Sequence, residues 1–218
     1  DSIPTAMLAV PIPHQLADAK REMREHVKDL MASSGMYEST TYILVNTDLL
    51  SKVNALDANN PPLKILNPMS VDFELLRTSL RGSVLTTLAT NRRVSQSDGI
   101  RMFEVGKVFM PREEAREREL PDEREILIGV LSGPRFPTSW TAPQGDLGFF
   151  DGKGVLEGMF SSLGVQVAFE RYTEDSVLEA GKTARIVCNG TVIGVVGEVT
   201  ASVLANFDLE GSPVAMFE

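Results

Sequence analysis

The run Ile100 to Met110, I-R-M-F-E-V-G-K-V-F-M, has the two-residue period of a β-strand but no polar side. Ile100, Met102, Val108 and Met110 fall on one face, and Phe103, Val105 and Phe109 on the other. A strand that is apolar on both faces belongs inside a sheet that is covered on both sides. Glu104 falls on the Ile100/Met102 face, where an unpaired carboxylate is costly. It is therefore expected to be buried and paired, with Arg77 as first candidate. The pair Arg77–Glu104 would be a structural ion pair holding the sheet to the turn that precedes Arg77.

That turn belongs to the stretch L-N-P-M-S-V-D-F-E-L-L-R-T-S-L-R-G-S-V-L-T-T-L, from Leu66 to Leu88. Asn67-Pro68 starts a turn, since Asn bonds its own backbone and Pro fixes φ while withholding a donor. Beyond it, Thr78 or Ser79 can cap a helix over about 79–93. Leu80, Val84, Leu85, Leu88 and Ala89 recur on one face of it at intervals of three and four.

Around these two stretches the pattern alternates between helix and strand. Leu16, Met23, Val27, Leu30 and Met31 mark a helix over about 14–34, which Gly35 ends. Thr40–Val45 reads as a strand. A short helix follows within 46–60, capped by Thr47 or Asp48, and Lys64–Leu66 reads as a short strand. The charged run Pro111–Glu125 reads as a solvated connection, and Ile126–Leu131 as a strand pairing with Ile100–Met110 in a long antiparallel hairpin. After a loop over 133–148, Asp151 can cap a helix carrying Val155, Met159, Phe160 and Leu163, closed by Gly164. Strands over 167–172, 183–188 and 191–199 follow, the last two joined at Asn189-Gly190, a strong hairpin signal. A short helix over 201–206 comes after them. The sum is an α+β domain, an antiparallel β-sheet flanked by helices.

Chemistry is not announced by these residues. The formal net charge of −9 argues against a strong nucleic-acid binder, because phosphate affinity comes mainly from Lys and Arg. Cys188 is the single cysteine, which excludes an intrachain disulfide and favours a reducing compartment. His14 and His26 have no cysteine neighbours at zinc-ligand spacing. Lys153 between Gly152 and Gly154 lacks the spacing and the Ser/Thr of a phosphate loop. No run approaches the ~20 apolar residues of a membrane span, so a cytoplasmic protein is expected. No residue is assigned to catalysis, cofactor binding or a metal. Residues 1–13, with three prolines and no helical period, read as a linker from a preceding domain. Residues 14–218 read as one module, truncated at its C-terminal end.

Several pieces occur in an order that carries a resemblance. Asn67-Pro68-x-Ser70, Leu76-Arg77-Thr78-Ser79-Leu80, Asn91 and Phe103-Glu104-x-Gly106-x-Val108-Phe109 come first. Phe149-Phe150-Asp151-x-Lys153-Gly154-x-x-Glu157 and Ile193-Gly194-x-x-Gly197-Glu198 follow. Together they resemble the synthetase-like module of the phenylalanyl-tRNA synthetase β-subunit family. Where that family usually reads His-Pro-Gly-Arg-Ser-Ala, this chain has Glu179-Ala180-Gly181-Lys182-Thr183-Ala184, keeping only Gly181 and Ala184. The early helix, Gly35 and strand resemble the first motif of class II aminoacyl-tRNA synthetases, with Thr41 and Tyr42 where proline is expected.

The resemblance implies a class II synthetase-like fold without catalysis of its own. It implies packing against a catalytic α subunit in an α2β2 assembly that attaches phenylalanine to its tRNA. ATP and Mg would be used by the whole complex and no cofactor bound by this fragment, and tRNA would not bind the acidic fragment strongly alone. The contact with the α subunit would fall on the first helix and the strand after it. Two rival readings remain: a catalytic adenylate-forming fragment and a regulatory, ligand-sensing paralogue. The catalytic one needs arginines converging on ATP, for which Arg77, Arg101 and Arg112 are the supply.

Overall fold

A computed structural model describes residues 17–94, 99–112, 120–137, 139–141 and 145–218. The linker expected over 1–13 lies outside them. Helix α1, Ala19–Ser33, starts where the Asp18 carboxylate accepts the N–H groups of Lys20 and Arg21. It ends at Gly35, whose φ of +79° few other residues adopt. Of the strand expected over 40–45 only β2, Leu44–Val45, forms, outside the main sheet, which is joined instead by β1, Tyr37–Glu38, ahead of the expected range. β2 pairs with β3, Leu75–Leu76, in a separate two-stranded ribbon. Between them stand α2, Thr47–Lys52, and a 3₁₀ turn, Val71–Phe73. Asn46 caps α2 instead of Thr47 or Asp48, because its side chain reaches the Leu49 N–H at 2.8 Å. Lys64–Leu66 forms only an isolated bridge, Lys64 to Leu75.

Helix α3, Arg81–Val94, begins with Ser79 Oγ accepting the Arg81 N–H. Its stripe Leu80, Val84, Leu85, Leu88 and Ala89 is buried. Strand β4, Ile100–Met110, is followed by β5, Asp122–Ser132, antiparallel in continuous register from Ile100↔Ser132 to Met110↔Asp122. The connection expected over 111–125 is thus shorter at its end, since Asp122 to Glu125 are already strand. Their charges suit a strand there, because this end of the hairpin is exposed and Lys107 reaches Glu123 across it at 2.7 Å.

Helix α4 is Phe149–Ser162, and β6, Ala168–Arg171, follows. β7, Leu178–Cys188, begins five residues earlier than the expected strand at 183. It pairs with β8, Thr191–Val199, through Asn189 and Gly190 at φ +50° and +78°, the two left-handed residues of a tight hairpin. α5, Ala201–Ala205, and β9, Val214–Phe217, complete the chain.

The seven-stranded sheet runs β1-β4-β5-β9-β8-β7-β6. Every pairing is antiparallel except β1 with β4, so the sheet is mixed by one parallel edge pair. One face packs Met102, Val108, Ile128, Val130, Val214 and Met216 against α3 and α5. The other packs Phe103, Leu131, Ala215 and Phe217 against α1 and α4. β4 is buried on both faces, as its pattern requires.

Candidate functional site

Arg77 lies just after β3 and Glu104 in the middle of β4, and both side chains are about 2% exposed. Arg77 Nη1 stands 3.0 Å from Glu104 Oε1 and 2.8 Å from Thr41 Oγ1. Thr41 Oγ1 in turn donates to Glu104 Oε2 at 2.7 Å, and Arg77 Nε donates to the Lys107 carbonyl at 2.8 Å. The Arg77 backbone joins in, its N–H donating to Ile43 O and its carbonyl accepting from Phe109 N–H. A charge taken out of water needs such company. Arg77 thereby fastens the 41–43 segment and the lead into α3 to strand β4. Thr41 enters the knot at a position where the sequence departs from the expected proline, and that departure was its only signal.

Gly106 makes room for the knot. A Cβ there would sit 2.5 Å from Arg77 Nη2 and 2.9 Å from Glu104 Oε1. The glycine two residues after the glutamate is thus a packing requirement of the ion pair.

The three arginines named for an ATP site do not converge. Arg77 is spent on Glu104. Arg101 is at the start of β4 and donates to the Arg135 carbonyl. Arg112 lies two residues beyond the other end of β4, about 35 Å away along an extended strand. Sequence reasoning missed a different arginine, Arg81, on the first turn of α3. It makes a two-point contact with Asp175, Nη1 to Oδ1 at 2.9 Å and Nη2 to Oδ2 at 3.0 Å, while Nε donates to Glu218 at 2.6 Å.

Burial works against the Arg81 charge, but Glu218 and Asp175 outweigh it and hold the guanidinium above its ordinary value. Burial likewise pushes the Asp175 carboxyl up, but Arg81 and the Val177 and Leu178 N–H groups win and hold it below the usual carboxylate range. This triad stands at a cleft of about 780 Å³ lined by Ile126, Leu127, Phe160, Ile193 and Phe217. Nothing in the sequence joins 81, 175 and 218, which only the topology brings together.

Asp151 is not the cap of α4. Gly148 occupies that place, and Asp151, in the first turn, accepts the Gly148 N–H at 2.9 Å. Burial raises its carboxyl, but the two-point contact with Arg135 and the Gly148 N–H lower it further, to below the ordinary range. Lys153 lies inside α4, paired with Glu157 and 4.7 Å from the centre of the Phe169 ring. Glu198 accepts the Phe149 N–H at 3.2 Å and pairs with Lys182. Lys182 stands where the family's usual sextet has arginine. These charged groups all have partners inside the fold. Among the described residues, no group of three or more His, Cys, Asp or Glu is placed to hold a metal ion. No helix among them is long and apolar enough to cross a membrane.

The apolar surface lies elsewhere. Met23 on α1, Tyr37 on β1, and Tyr42 and Ile43 beyond it are exposed, the two tyrosines at 78% each. Tyr42 meets Phe73 edge to face at 5.5 Å, and Leu66, Met69 and Val71 are exposed in the same turn region. The helical period puts Met23 in the apolar stripe of α1, but the first half of that helix is left uncovered.

The antiparallel sheet with a parallel edge strand after a long first helix is matched by a solved pyrrolysyl tRNA synthetase from Desulfitobacterium hafniense. The TM-score is 0.64 at 15% identity, over 91% of this chain and 65% of that one. The fold is that of a class II aminoacyl-tRNA synthetase. Residues 3–218 also match the family model described as phenylalanyl tRNA synthetase beta chain CLM domain. The chain belongs to that family. Relatives named phenylalanine–tRNA ligase beta subunit include one from Dehalococcoides mccartyi strain CBDB1, 33% identical over 90% of this chain and 23% of the relative. One from a strain of Bacillus cereus is 30% identical over 97% of this chain and 26% of the relative. The chain therefore spans about a quarter of the length of these relatives.

Proposed function

We propose that the chain is the non-catalytic, synthetase-like module of a phenylalanine–tRNA ligase β subunit. It packs against the catalytic α subunit and supports an α2β2 assembly that joins phenylalanine to its tRNA in the cytoplasm. ATP and Mg are used by the whole complex, and the module binds neither. The observation that carries this reading is the fate of the arginines. Arg77 is enclosed with Glu104, Arg81 is held between Asp175 and Glu218, and Arg101 and Arg112 stand at opposite ends of β4. An adenylate-forming site needs positive groups aimed at phosphate. The exposed Met23, Tyr37, Tyr42 and Ile43 supply what a subunit contact needs, an uncovered apolar face on the first helix and the segment after it.

The test is phenylalanine-dependent tRNA charging with the full-length parent chain and the α subunit, together and apart, beside ATP binding to this module. Charging that needs both chains, with no ATP bound by the module, is the expected result. Adenylate formed by the module alone would overturn the proposal and favour the catalytic reading. Ligand binding without turnover would favour a regulatory paralogue.

A further inference from the structure

The segment from Leu63 to Leu76 is a hairpin that lies outside the main sheet. Its legs are joined by the antiparallel bridge of Lys64 with Leu75. Ile65 N–H donates to the Glu74 carbonyl at 2.9 Å, and Leu76 N–H to the Leu63 carbonyl at 2.8 Å. The Lys64 and Glu74 side chains pair as well, at 2.6 Å. The second leg contains β3, which is bonded on its other edge to β2, so the base is held from both sides. The tip, 66–73, has an order of its own. Ser70 Oγ accepts the Asp72 N–H and the Ser70 carbonyl accepts the Phe73 N–H, both at 3.2 Å, while Pro68 fixes φ within the turn.

What this ordered tip presents is apolar. Met69 is 99% exposed, Leu66 98% and Val71 74%. None of them fills the protein interior, because the small core beneath the ribbon is made by Val45, Leu50 and Leu75. A lone apolar side chain on a surface is ordinary, but a cluster of them on a held tip marks a contact surface. From Ile65 to Phe73 the one charged residue is Asp72, and Asn46 Nδ2 donates to it at 3.4 Å. A tip without Lys or Arg has no hold on phosphate, which argues against nucleic acid and an anionic lipid surface. Apolar and almost free of charge, it has the composition of the buried centre of a protein–protein interface.

We infer that the tip of this hairpin docks into an uncharged, apolar hollow of the α subunit, as a second anchor beside the Tyr42 face. The inference rests on the proposed packing against that subunit and adds a part to it. Continuity chooses the occupant. The Phe73 ring, at the foot of the tip, meets Tyr42 edge to face at 5.5 Å, and Tyr42 with Ile43 belongs to the face given to the α subunit. A partner that covers Tyr42 therefore reaches the hairpin. The hollow is uncharged, because a charge closed over by Leu66 and Met69 would lose its water and gain no partner. The bonded base lowers the entropy lost on docking, and the unbranched Met69 side chain adapts to the shape it meets.

The test uses the full-length β chain and the α subunit. Association is measured over a dilution series for the wild-type chain, Met69→Asp and Leu66→Ser, and benzoylphenylalanine in place of Met69 is photo-cross-linked in the assembled complex. Met69→Asp should bind the α subunit at least ~10-fold more weakly, and Leu66→Ser should weaken binding in the same direction without a new charge. The denaturant midpoint of the β chain alone should not move, since both positions are almost wholly exposed. The cross-link should fall on the α subunit. Binding as tight as wild type in both variants overturns the inference and leaves the proposed function standing. So does a cross-link that falls only on a second β chain, on tRNA or on another part of the same β chain. A wild-type β chain that does not bind the α subunit overturns the proposed function itself, and the inference with it.

Discussion

Arg77 Nη1 and Glu104 Oε1 stand 3.0 Å apart with their side chains 2% and 3% exposed, and Thr41 closes the triangle. The pair is a clamp and not a source of net stability, because desolvating two charges offsets most of their attraction. Removing one partner is another matter, since it strands the other in the core. Arg77→Met is expected to lower unfolding free energy by about 3–5 kcal/mol. Adding Glu104→Leu to it should restore a large part. Urea denaturation of the two single variants and the double variant checks this, and an additive double variant would show that the two side chains do not act as a pair.

Gly106 tests the same knot from its neighbour. An alanine methyl would meet Arg77 Nη2 and Glu104 Oε1 well inside contact distance, and the guanidinium is held in place through its Nε and Nη1 bonds, the latter to Glu104 Oε1 itself. Gly106→Ala should therefore cost about 1–3 kcal/mol as an overpacked core does. Gly154→Ala, where a Cβ meets nothing within 4 Å on a helix, should be neutral or stabilising. Thermal melts of the two variants give the comparison.

Much of this was legible beforehand, and the reason differs by element. Ile100 to Met110 was readable to the residue, because a strand covered on both faces cannot exchange an apolar position for a polar one. The Asn189-Gly190 turn was readable because two successive left-handed residues tolerate few side chains. The start of β5 was not, since Asp122 to Glu125 lie on the exposed end of a hairpin, where pairing with β4 and not burial makes the strand. The cap of α2 was misplaced by one or two residues and that of α4 by three, because Asn46, Thr47 and Asp48, or Gly148 and Asp151, can each serve by composition. Arg81 was missed for a deeper reason. Its partners Asp175 and Glu218 lie 94 and 137 residues away, and no local period reports a contact made by topology.

Asp175 gives a pH dependence whose sign follows from its environment. Its carboxyl is held below the usual range in the folded chain, with Arg81 and two N–H groups overcoming the effect of burial. Such a group contributes stability that is present above the unfolded value, ~3.9, and is lost as pH falls through the folded one. Asp151, held low by Arg135 and Gly148 against burial, adds in the same direction. The urea midpoint should therefore drop as pH is taken from about 5 into the acid range. Asp175→Asn should cost about 1.5–3 kcal/mol at neutral pH, as loss of charged hydrogen bonds does, and flatten that acid limb. An acid limb unchanged in the variant would show that the Arg81–Asp175 contact is not formed in solution.

The exposed pair Tyr42 and Phe73 bears on assembly. Their rings meet edge to face at 5.5 Å, and Tyr42 is 78% exposed, so neither ring is needed to fill the core. Aromatic side chains left uncovered beside Ile43 are the kind of group on which subunit contacts depend. Tyr42→Ser with Ile43→Ser should leave the folding stability of the β chain within about 0.5 kcal/mol, the usual range for exposed positions. On the proposed packing against the α subunit, the same double variant should weaken that association by at least ~10-fold, about 1.4 kcal/mol, as the loss of one anchoring side chain does. Size-exclusion chromatography of the mixed subunits over a dilution series reads the second effect, and denaturant melts of the β chain alone read the first. Association unchanged with folding intact would move the contact away from this face and on to the rest of α1. Lost folding would mean that Tyr42, whose carbonyl accepts from Arg77 at 3.4 Å, takes part in the knot through more than its backbone.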